Sequence, residues 1–316
     1  MRALIVGHKG QDGKLLCKLL RMWGITVYGI SKSGDFPNAT EEHDSNRVAN
    51  FEMFENLIDP AICSRILDSV QPDLLIHAAA IHANSKDMPS LEFKLKREIT
   101  EVNFDLTQNL IRWQSRNSFC KSLFLNSSLI FGYQSGPMNS TSTLNPHGVY
   151  AESKAEAFDL IKVSQKKIPK ISCAILFPHT SPYSSKTFLL QEIADQINLI
   201  RFGNSDSIKV ENALAQIDIS DARDTTSTLA SFLKENSGAK NFVLGSGKPV
   251  RIQTIMERAL AKMNISNFNI TSRNPEPITT TFADIAEMED KIPFRKISRD
   301  ISQTLLEICE SRPLEG

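Results

Sequence analysis

The sequence predicts a doubly wound α/β fold, in which helices cover both faces of a parallel sheet. Short apolar runs rich in β-branched residues alternate with longer amphipathic stretches, and a glycine-rich turn follows the first apolar run directly. Near-continuous apolar strands separated by helices are typical of a parallel sheet buried on both faces. A mixed α+β arrangement is the alternative that this pattern leaves open.

Five strands and four helices are predicted in the first part of the chain. The strands are Arg2–Gly7, Thr26–Ser31, Leu74–Ala80, Ser122–Asn126 and Ser172–Phe177. The helices are Asp12–Trp23, Asp59–Ser69, Glu98–Gln114 and Tyr150–Gln165. Between the second strand and the second helix, residues 33–50 are polar and without periodicity, which predicts a long loop.

After residue 178 the spacing of elements becomes irregular, which predicts a second, smaller domain. Helices are expected from Thr187 to about Asn198, at Asp221–Glu235 and at Arg251–Met263, with a strand at Asn241–Gly247. We expect residues 1–178 to form the first domain, with a segment of about 215–248 returning to it. Residues 179–316 would then form mainly the second domain.

Composition narrows the class of protein. The chain has 316 residues, and its 36 basic side chains balance 36 acidic ones, so neither nucleic acid nor an anionic membrane is an expected partner. No apolar run reaches the roughly 18 residues that span a bilayer, and the first residues resemble a strand rather than a signal peptide. We expect a soluble, cytoplasmic protein.

Cysteines and histidines give no sign of a disulfide framework or a metal site. The five cysteines are scattered without C-x-x-C spacing, and the six histidines lack the spacing of metal ligands. We therefore expect reduced thiols and no bound metal.

The turn after the first strand predicts a site for a dinucleotide phosphate. It reads Gly7-His-Lys-Gly10-Gln-Asp-Gly13, with a helix following at once. Such a turn lets the backbone approach a pyrophosphate, which then lies at the positive helix N-terminus. The spacing is G-x-x-G-x-x-G rather than G-x-G-x-x-G, so a structural turn without ligand is the alternative.

The end of the second strand bears on the choice of cofactor. It reads Ser31-Lys32-Ser33, where an acidic residue would bind the ribose hydroxyls of NAD. A lysine and two hydroxyl groups suit a 2′-phosphate, which favours NADP. Asp35 follows closely in the sequence, so NAD remains the alternative cofactor.

A serine, a tyrosine and a lysine have the spacing of a proton relay. Tyr150 and Lys154 are four residues apart, on one face of a predicted helix, and Ser127 ends a strand. A phenol with an ordinary pKa near 10 needs a neighbouring cation to act as an acid or base at neutral pH. We expect Lys154 to lower the pKa of Tyr150 and to hold the nicotinamide ribose, and Ser127 to bind a substrate oxygen. A surface tyrosine and lysine are the alternative.

These motifs resemble the extended short-chain dehydrogenases that act on nucleotide sugars, and most closely their GDP-mannose 4,6-dehydratases. The resemblance extends through His77-Ala-Ala-Ala80, Asn103, Ser127–Gly132, Leu176–Pro182 and Asp218–Asp224. It implies a Rossmann-like fold with a smaller substrate-binding α/β domain, an NAD(P) cofactor, a nucleotide-sugar substrate and a homodimer or tetramer. The candidate cofactor-binding residues are Gly7, Gly10, Gln11, Asp12, Gly13, Ser31, Lys32, Ser33, Asn56, Leu57, Ala78, Ala79, Ala80, Asn103, Tyr150, Lys154, Phe177 and His179.

Departures from the dehydratase pattern bear on the reaction. Leu129 stands where those enzymes have the glutamate that removes the C5 proton, and Pro178 replaces a substrate-facing asparagine. The basic pair before their Asp-Trp-Gly reads Gln216-Ile217, so an arginine suited to a diphosphate is lost. The resemblance makes Ser128, Leu129, Pro178 and Asn212 the candidate substrate residues.

Three functions therefore remain open. The first is an oxidoreductase that reduces or epimerises a 4-keto nucleotide sugar through Ser127, Tyr150 and Lys154. The second is a 4,6-dehydratase with another base, such as Glu152. The third is a non-catalytic protein that binds the cofactor.

Overall fold

The computed structural model describes residues 1–31, 49–51, 57–82, 93–235, 238–275 and 280–312, and for 49–51 it describes the backbone alone. The chain divides into two compact units. The first comprises Met1–Gly132, Ser140–Leu176 and Thr226–Phe242; the second comprises Tyr133–Asn139, Phe177–Thr225 and Val243–Gly316. Assigning the cofactor to one unit and the substrate to the other remains a prediction.

A seven-stranded sheet forms the centre of the first unit. With strands numbered along the chain, its members are β1 (Arg2–Val6), β2 (Thr26–Ile30), β3 (Ala49–Phe51), β4 (Leu74–His77), β5 (Lys121–Ser127), β7 (Ile171–Leu176) and β12 (Asn241–Leu244). Their spatial order is β12-β7-β5-β4-β1-β2-β3, and the pairings from β7 through β3 are parallel. Strands β4 and β7 are buried along their whole length. The predicted doubly wound α/β fold is confirmed.

Helices of the first unit lie between these strands. They are α1 (Gln11–Met22), α2 (Pro60–Val70), α3 (Phe93–Thr100), α4 (Leu106–Gln114) and α5 (Val149–Ser164). The start of α2 is fixed by its N-cap: the Asp59 carboxylate accepts the Ala61 and Ile62 amides at 2.8 and 3.0 Å.

The register of the sheet brings the candidate residues of this unit to one edge. Val6 is paired with His77, His77 with Phe124, and Ser127 with Leu176. The turn after β1, the segment after β4 and the end of β5 therefore lie at the carboxyl edge of the sheet, where ligands of such folds bind.

The second unit has its own apolar core. Its helices are α6 (Leu189–Arg201), α8 (Ile252–Lys262), α9 (Ile285–Lys291) and α10 (Ile301–Glu310), and α7 (Ala222–Glu235) passes from this unit to the first. Its short strands are β6 (Gly136–Met138), β8 (His179–Thr180), β9 (Ser207–Val210), β10 (Gln216–Ile217), β11 (Ser220–Asp221), β13 (Val250–Arg251), β14 (Asn269–Ser272) and β15 (Thr281–Ala283). Helices α6, α8 and α10 supply most of the buried apolar side chains.

Some predicted boundaries differ from the structure for visible reasons. The strand predicted to reach Ala80 ends at His77, since the chain passes close over Gly7 just beyond it. The helix predicted from Glu98 begins at Phe93, and a π-helical turn at Glu101–Asp105 joins α3 to α4. Of the predicted loop, residues 33–48 lie outside the described residues, and Ala49 and Asn50 belong to β3. Within the part of the chain that the structure describes, no helix has the length and apolar character needed to cross a membrane.

Candidate functional site

Two glycines of the N-terminal turn are required by the turn itself. Gly7 has a φ of +97°, and a Cβ there would lie 2.7 Å from the Ala79 amide nitrogen. A Cβ on Gly13 would contact the Gly7 carbonyl oxygen and lie 2.6 Å from the His8 Cα. Backbone packed this closely excludes any side chain at either position.

Gly10 differs from these two and bears on ligand binding. Its φ is −69°, and a Cβ there would meet only the Gly7 carbonyl oxygen, at 3.3 Å. Gly10 caps α1 without a side-chain acceptor, whereas Asp59, Asp284 and Asp300 each cap a helix with a carboxylate. The first backbone amides of α1 are therefore not capped by a carboxylate and suit a pyrophosphate as acceptor. Binding that pyrophosphate is the role predicted for Gly10, Gln11, Asp12 and Gly13.

The other predicted cofactor residues of the first unit differ in how far they are buried. Ala78 and Ala79 lie beside Gly7, Ala80 is exposed beyond them, and Ser31 is buried at the end of β2. Leu57 is fully buried, and its carbonyl oxygen accepts the Asn109 side-chain amide at 3.1 Å. Lys32, Ser33 and Asn56 lie outside the described residues, as does Asp35.

The phenol of Tyr150 lies in a buried, mainly apolar setting. The residue is 6% exposed, packs against Ile99, and has its ring centroid 4.7 Å from that of His82. Burial raises the pKa of Tyr150 to about 12; a hydrogen bond with Ser127 opposes the rise, and the negative charge of Asp12 adds to it. Tyr150 is therefore a protonated phenol at neutral pH, hydrogen-bonded to the Ser127 side chain.

Lys154 lies one helical turn further along α5 and is also buried. Its Nζ donates to the Leu125 carbonyl oxygen at 3.2 Å, and burial lowers its pKa to about 8. The expected lowering of the Tyr150 pKa by this lysine is absent from the structure, because desolvation dominates at the phenol and the ammonium bonds to β5. The Asn126 amide reinforces this contact by donating to the Lys154 carbonyl oxygen at 2.9 Å.

Asn103 joins the two segments that carry these groups. Its Oδ1 accepts the Ile81 amide at 3.3 Å, and its Nδ2 donates to Ser153 Oγ at 3.2 Å. Ser153 Oγ in turn donates to the Tyr150 carbonyl oxygen at 2.9 Å. Asn103 lies in the π-helical turn, a feature frequent at functional sites. The structure thus places this predicted cofactor residue where it fixes the segment after β4 against α5.

The short turn after Ser127 carries two predicted substrate residues. Ser128 is buried, whereas Leu129 is 48% exposed. Ser127 Oγ accepts the Leu129 amide at 3.3 Å, which fixes the start of the turn. Glu152, the alternative base, is exposed on α5.

Four predicted residues belong to the second unit. Phe177 is buried, Pro178 is exposed, and His179 Nδ1 lies 2.8 Å from the Phe177 carbonyl oxygen. Asn212 is buried, and its Oδ1 accepts the amides of Leu214 and Ala215 at 2.9 and 3.1 Å, which shapes a turn. Their roles toward a cofactor or substrate remain predictions.

Sequence reasoning missed one residue of this site, His82, whose ring contacts that of Tyr150. It included Asp12 as a cofactor residue but did not predict that its negative charge raises the pKa of Tyr150. The position of His82, five residues after the end of a strand that passes the cofactor turn, is the signal that could have found it. Among the described residues, no group of three or more potential ligands could hold a metal ion.

A family model and the curated relatives that match this chain carry the same family description. A family model described as GDP-mannose 4,6 dehydratase matches residues 4–298. GDP-mannose 4,6 dehydratase 2 of Caenorhabditis elegans is 24% identical over 277 residues, which cover 83% of this chain and 70% of the relative.

Solved structures show the same fold. UDP-glucose 4-epimerase from Bifidobacterium longum, in complex with NAD+ and UDP, is 15% identical, with a TM-score of 0.79 over 98% of both chains. RMD from Pseudomonas aeruginosa, complexed with NADPH, is 18% identical, with a TM-score of 0.75 over 98% of both chains. The likeness extends to the arrangement of sheet and helices across nearly the whole chain.

Proposed function

The chain belongs to the GDP-mannose 4,6 dehydratase family, and from that premise we propose that it is an NADP-dependent oxidoreductase that reduces a 4-keto nucleotide sugar. The predicted family resemblance is confirmed, and with it, at the level of the family, the enzyme class and the nicotinamide cofactor. The reaction, the substrate and the site residues belong to the proposal. Epimerisation at the same carbon is a variant of the same hydride chemistry.

One observation carries the proposal: the buried phenol of Tyr150 keeps its proton and is hydrogen-bonded to Ser127, and the turn Ser128–Phe131 that follows Ser127 contains no carboxylate. Reduction of a ketone needs a proton donor at the oxygen, and burial holds the pKa of Tyr150 at about 12. Water elimination needs a base that removes the C5 proton, and this chain has Leu129 where the resemblance places the glutamate of the dehydratases. The site is thus better suited to giving a proton to an oxygen than to removing one from carbon.

The roles of the individual groups follow from their contacts. Tyr150 donates its phenolic proton to the substrate oxygen, and Ser127 orients that oxygen and the phenol together. Lys154, protonated at neutral pH, binds the ribose, while the turn at Gly7–Gly13 receives the pyrophosphate. A nicotinamide cofactor bound there supplies the hydride. Lys32 and Ser33 support NADP over NAD, because they suit a 2′-phosphate.

The decisive experiment uses the full chain, NADPH and a freshly prepared GDP-4-keto-6-deoxy sugar. We expect NADPH to be consumed and a deoxy sugar to form with hydride at C4. A preparation that binds NADPH but leaves this ketone and its UDP and dTDP analogues unchanged would contradict the proposal and support a non-catalytic protein.

The family match gives one specific reason to test dehydration as the second candidate. GDP-mannose incubated with the protein in heavy water reports this directly. Deuterium at C5 of a 4-keto product would mean that elimination proceeds without a carboxylate at position 129. We expect no such product.

We also propose a cytoplasmic homodimer or homotetramer, which rests on the family resemblance alone. Light scattering of the purified protein measures the assembly, and a monomer at micromolar concentration would contradict it.

A further inference from the structure

A cavity of about 580 Å³ lies wholly within the second unit. Its walls come from the segments around Ser220, Ser246–Val250 and Arg295–Ile301 and from α8 and α9. None of the candidate cofactor or substrate residues described above lines it. The volume falls within the range of small-molecule sites, roughly 300–1,000 Å³.

Positive charge is concentrated at this cavity. Lys248, Arg258, Arg295 and Arg299 line it, and Glu289 is the acidic residue among its lining groups. The chain as a whole carries 36 basic and 36 acidic side chains, so this is a local excess rather than a reflection of composition. Like charges gathered at one cavity repel one another, and a bound anion removes that repulsion.

Neighbouring carboxylates leave most of this charge uncompensated. Arg299 Nε lies 3.4 Å from Asp224 Oδ1. No acidic side chain of the described residues forms an ion pair with Lys248, Arg258 or Arg295. As far as the described part of the chain shows, Lys248, Arg258 and Arg295 are therefore available to a ligand, with Glu289 as the opposing charge in the lining.

The walls are held in place by two buried carboxylates. Asp218 accepts the amides of Ser246 and Gly247 at 2.7 and 3.0 Å, and also the Ala283 amide at 2.9 Å. Asp224 accepts the amides of Ser298 and Arg299 at 2.6 and 2.8 Å. Both carboxylates are thus engaged in fixing loops, and the cavity is preformed, which reduces the ordering cost of binding.

We propose that this cavity binds a small organic phosphate. Guanidinium groups match phosphate oxygens in bidentate geometry, and three cations suit a ligand that carries two or more negative charges. Pro249, Val250 and Ile297 offer apolar wall for the carbon part of such a ligand. The site is separate in its residues from the proposed reduction chemistry and does not depend on it.

Calorimetric titration of the full chain with pyrophosphate, at low ionic strength and with saturating NADPH to occupy the N-terminal turn, tests the charged part of the site. The double variant Arg258→Gln/Arg295→Gln should lose at least about tenfold in pyrophosphate affinity, because two charge-assisted contacts disappear. Arg201→Gln, which removes an exposed arginine of the same unit, is the matched control and should bind as the parent does. The double variant should also bind NADPH unchanged, which separates this site from the N-terminal turn.

Glucose 6-phosphate and AMP, titrated with the same saturating NADPH, then test the organic part. At least one of them should bind the parent more tightly than pyrophosphate does, and lose that advantage in the double variant. No pyrophosphate binding by the parent, equal binding by parent and double variant, or an equal loss in Arg201→Gln would each overturn the proposal. If neither organic phosphate exceeds pyrophosphate, the assignment to an organic ligand is wrong.

Discussion

Tyr150 illustrates how the surroundings of one side chain select a chemical role. Its ring is packed against Ile99 and His82, so the charged phenolate is disfavoured and the pKa rises to about 12. The Ser127 hydrogen bond opposes this rise without cancelling it. At rest the residue is a proton donor, and deprotonating it requires a further positive charge or a bound ligand.

Replacing Tyr150 by Phe should remove the donor and keep the ring. We expect turnover of the 4-keto substrate to fall by roughly 10²–10⁴-fold, the usual contribution of general acid–base catalysis. Affinity for NADPH, measured by fluorescence titration, should remain at the parent value. Turnover equal to the parent would exclude Tyr150 as the donor.

Lys154 should make the stability of the protein depend on pH in the alkaline range. Burial lowers its pKa from 10.5 to about 8, so between these values the unfolded state binds more protons than the folded state. The free energy of unfolding of the parent, relative to Lys154→Met, should therefore rise with pH across this window. Taking the difference cancels the titration of groups that both proteins share. Denaturant titrations from pH 7 to 10.5 measure it, and a flat or falling difference would contradict the assignment.

Leu129 should tolerate a carboxylate without a large loss of stability. The side chain is 48% exposed, so the glutamate of Leu129→Glu remains hydrated and the free energy of unfolding should stay within ~0.5 kcal/mol of the parent. We expect at most a trace of 4-keto product from GDP-mannose, since Pro178 and Ile217 also depart from the dehydratase pattern. Robust dehydration by the parent would mean that Leu129 is no obstacle.

The part of the site that could be predicted is the part that local spacing determines. Four residues separate Tyr150 from Lys154, and a helix of any context places them on one face. The contact of His82 with Tyr150 and the bridge through Asn103 depend on how β4, the π-helical turn and α5 pack, which no periodicity encodes. The direction of the Tyr150 pKa shift also escaped prediction, because it depends on burial rather than on the nearby lysine.

At the scale of elements, the β1–α1 connection combines a rigid turn with an uncapped helix. Gly13→Ala would force a Cβ into the backbone of Gly7 and His8 and should destabilise the fold by about 1–3 kcal/mol. Gly10→Val would place its Cβ 3.3 Å from the Gly7 carbonyl oxygen, a tight contact that a small shift relieves, and would put a branched side chain where a pyrophosphate would approach. We expect Gly10→Val to keep most of its melting temperature and to lose NADPH binding. Undiminished NADPH affinity in this variant would mean that the glycines serve only the turn.

Most elements of the first unit were predictable because each shows its own period, whereas β3 begins within the predicted loop. Strands β1, β2, β5 and β7 lie within one residue of their predicted limits at both ends. In the second unit, β6 pairs with β15 and β9 pairs with β14, over sequence separations that leave no local pattern. These strands were missed for that reason; α9 and α10 were also not predicted.

At the scale of the whole molecule, all five thiols are shielded by the fold. Cys17, Cys63, Cys120, Cys173 and Cys309 are buried. Burial raises the pKa of Cys17 to about 11 and those of the other four to about 12. Iodoacetamide at pH 8 should therefore label none of them in the native protein and all five in guanidinium chloride, as mass spectrometry would show. Rapid native labelling of any one would reveal local opening there.

Because the first unit is formed by separate stretches of the chain, its sheet cannot be completed during synthesis until the last of these stretches has left the ribosome. Strand β7 is complete at Leu176, yet its outer neighbour β12 comes from Asn241–Leu244. A nascent chain that has emerged as far as Thr225 therefore presents the outer side of β7 as an unpaired and mainly apolar edge. Such an edge is a template for association with other chains, so the interval between these two strands is when the protein most needs a chaperone.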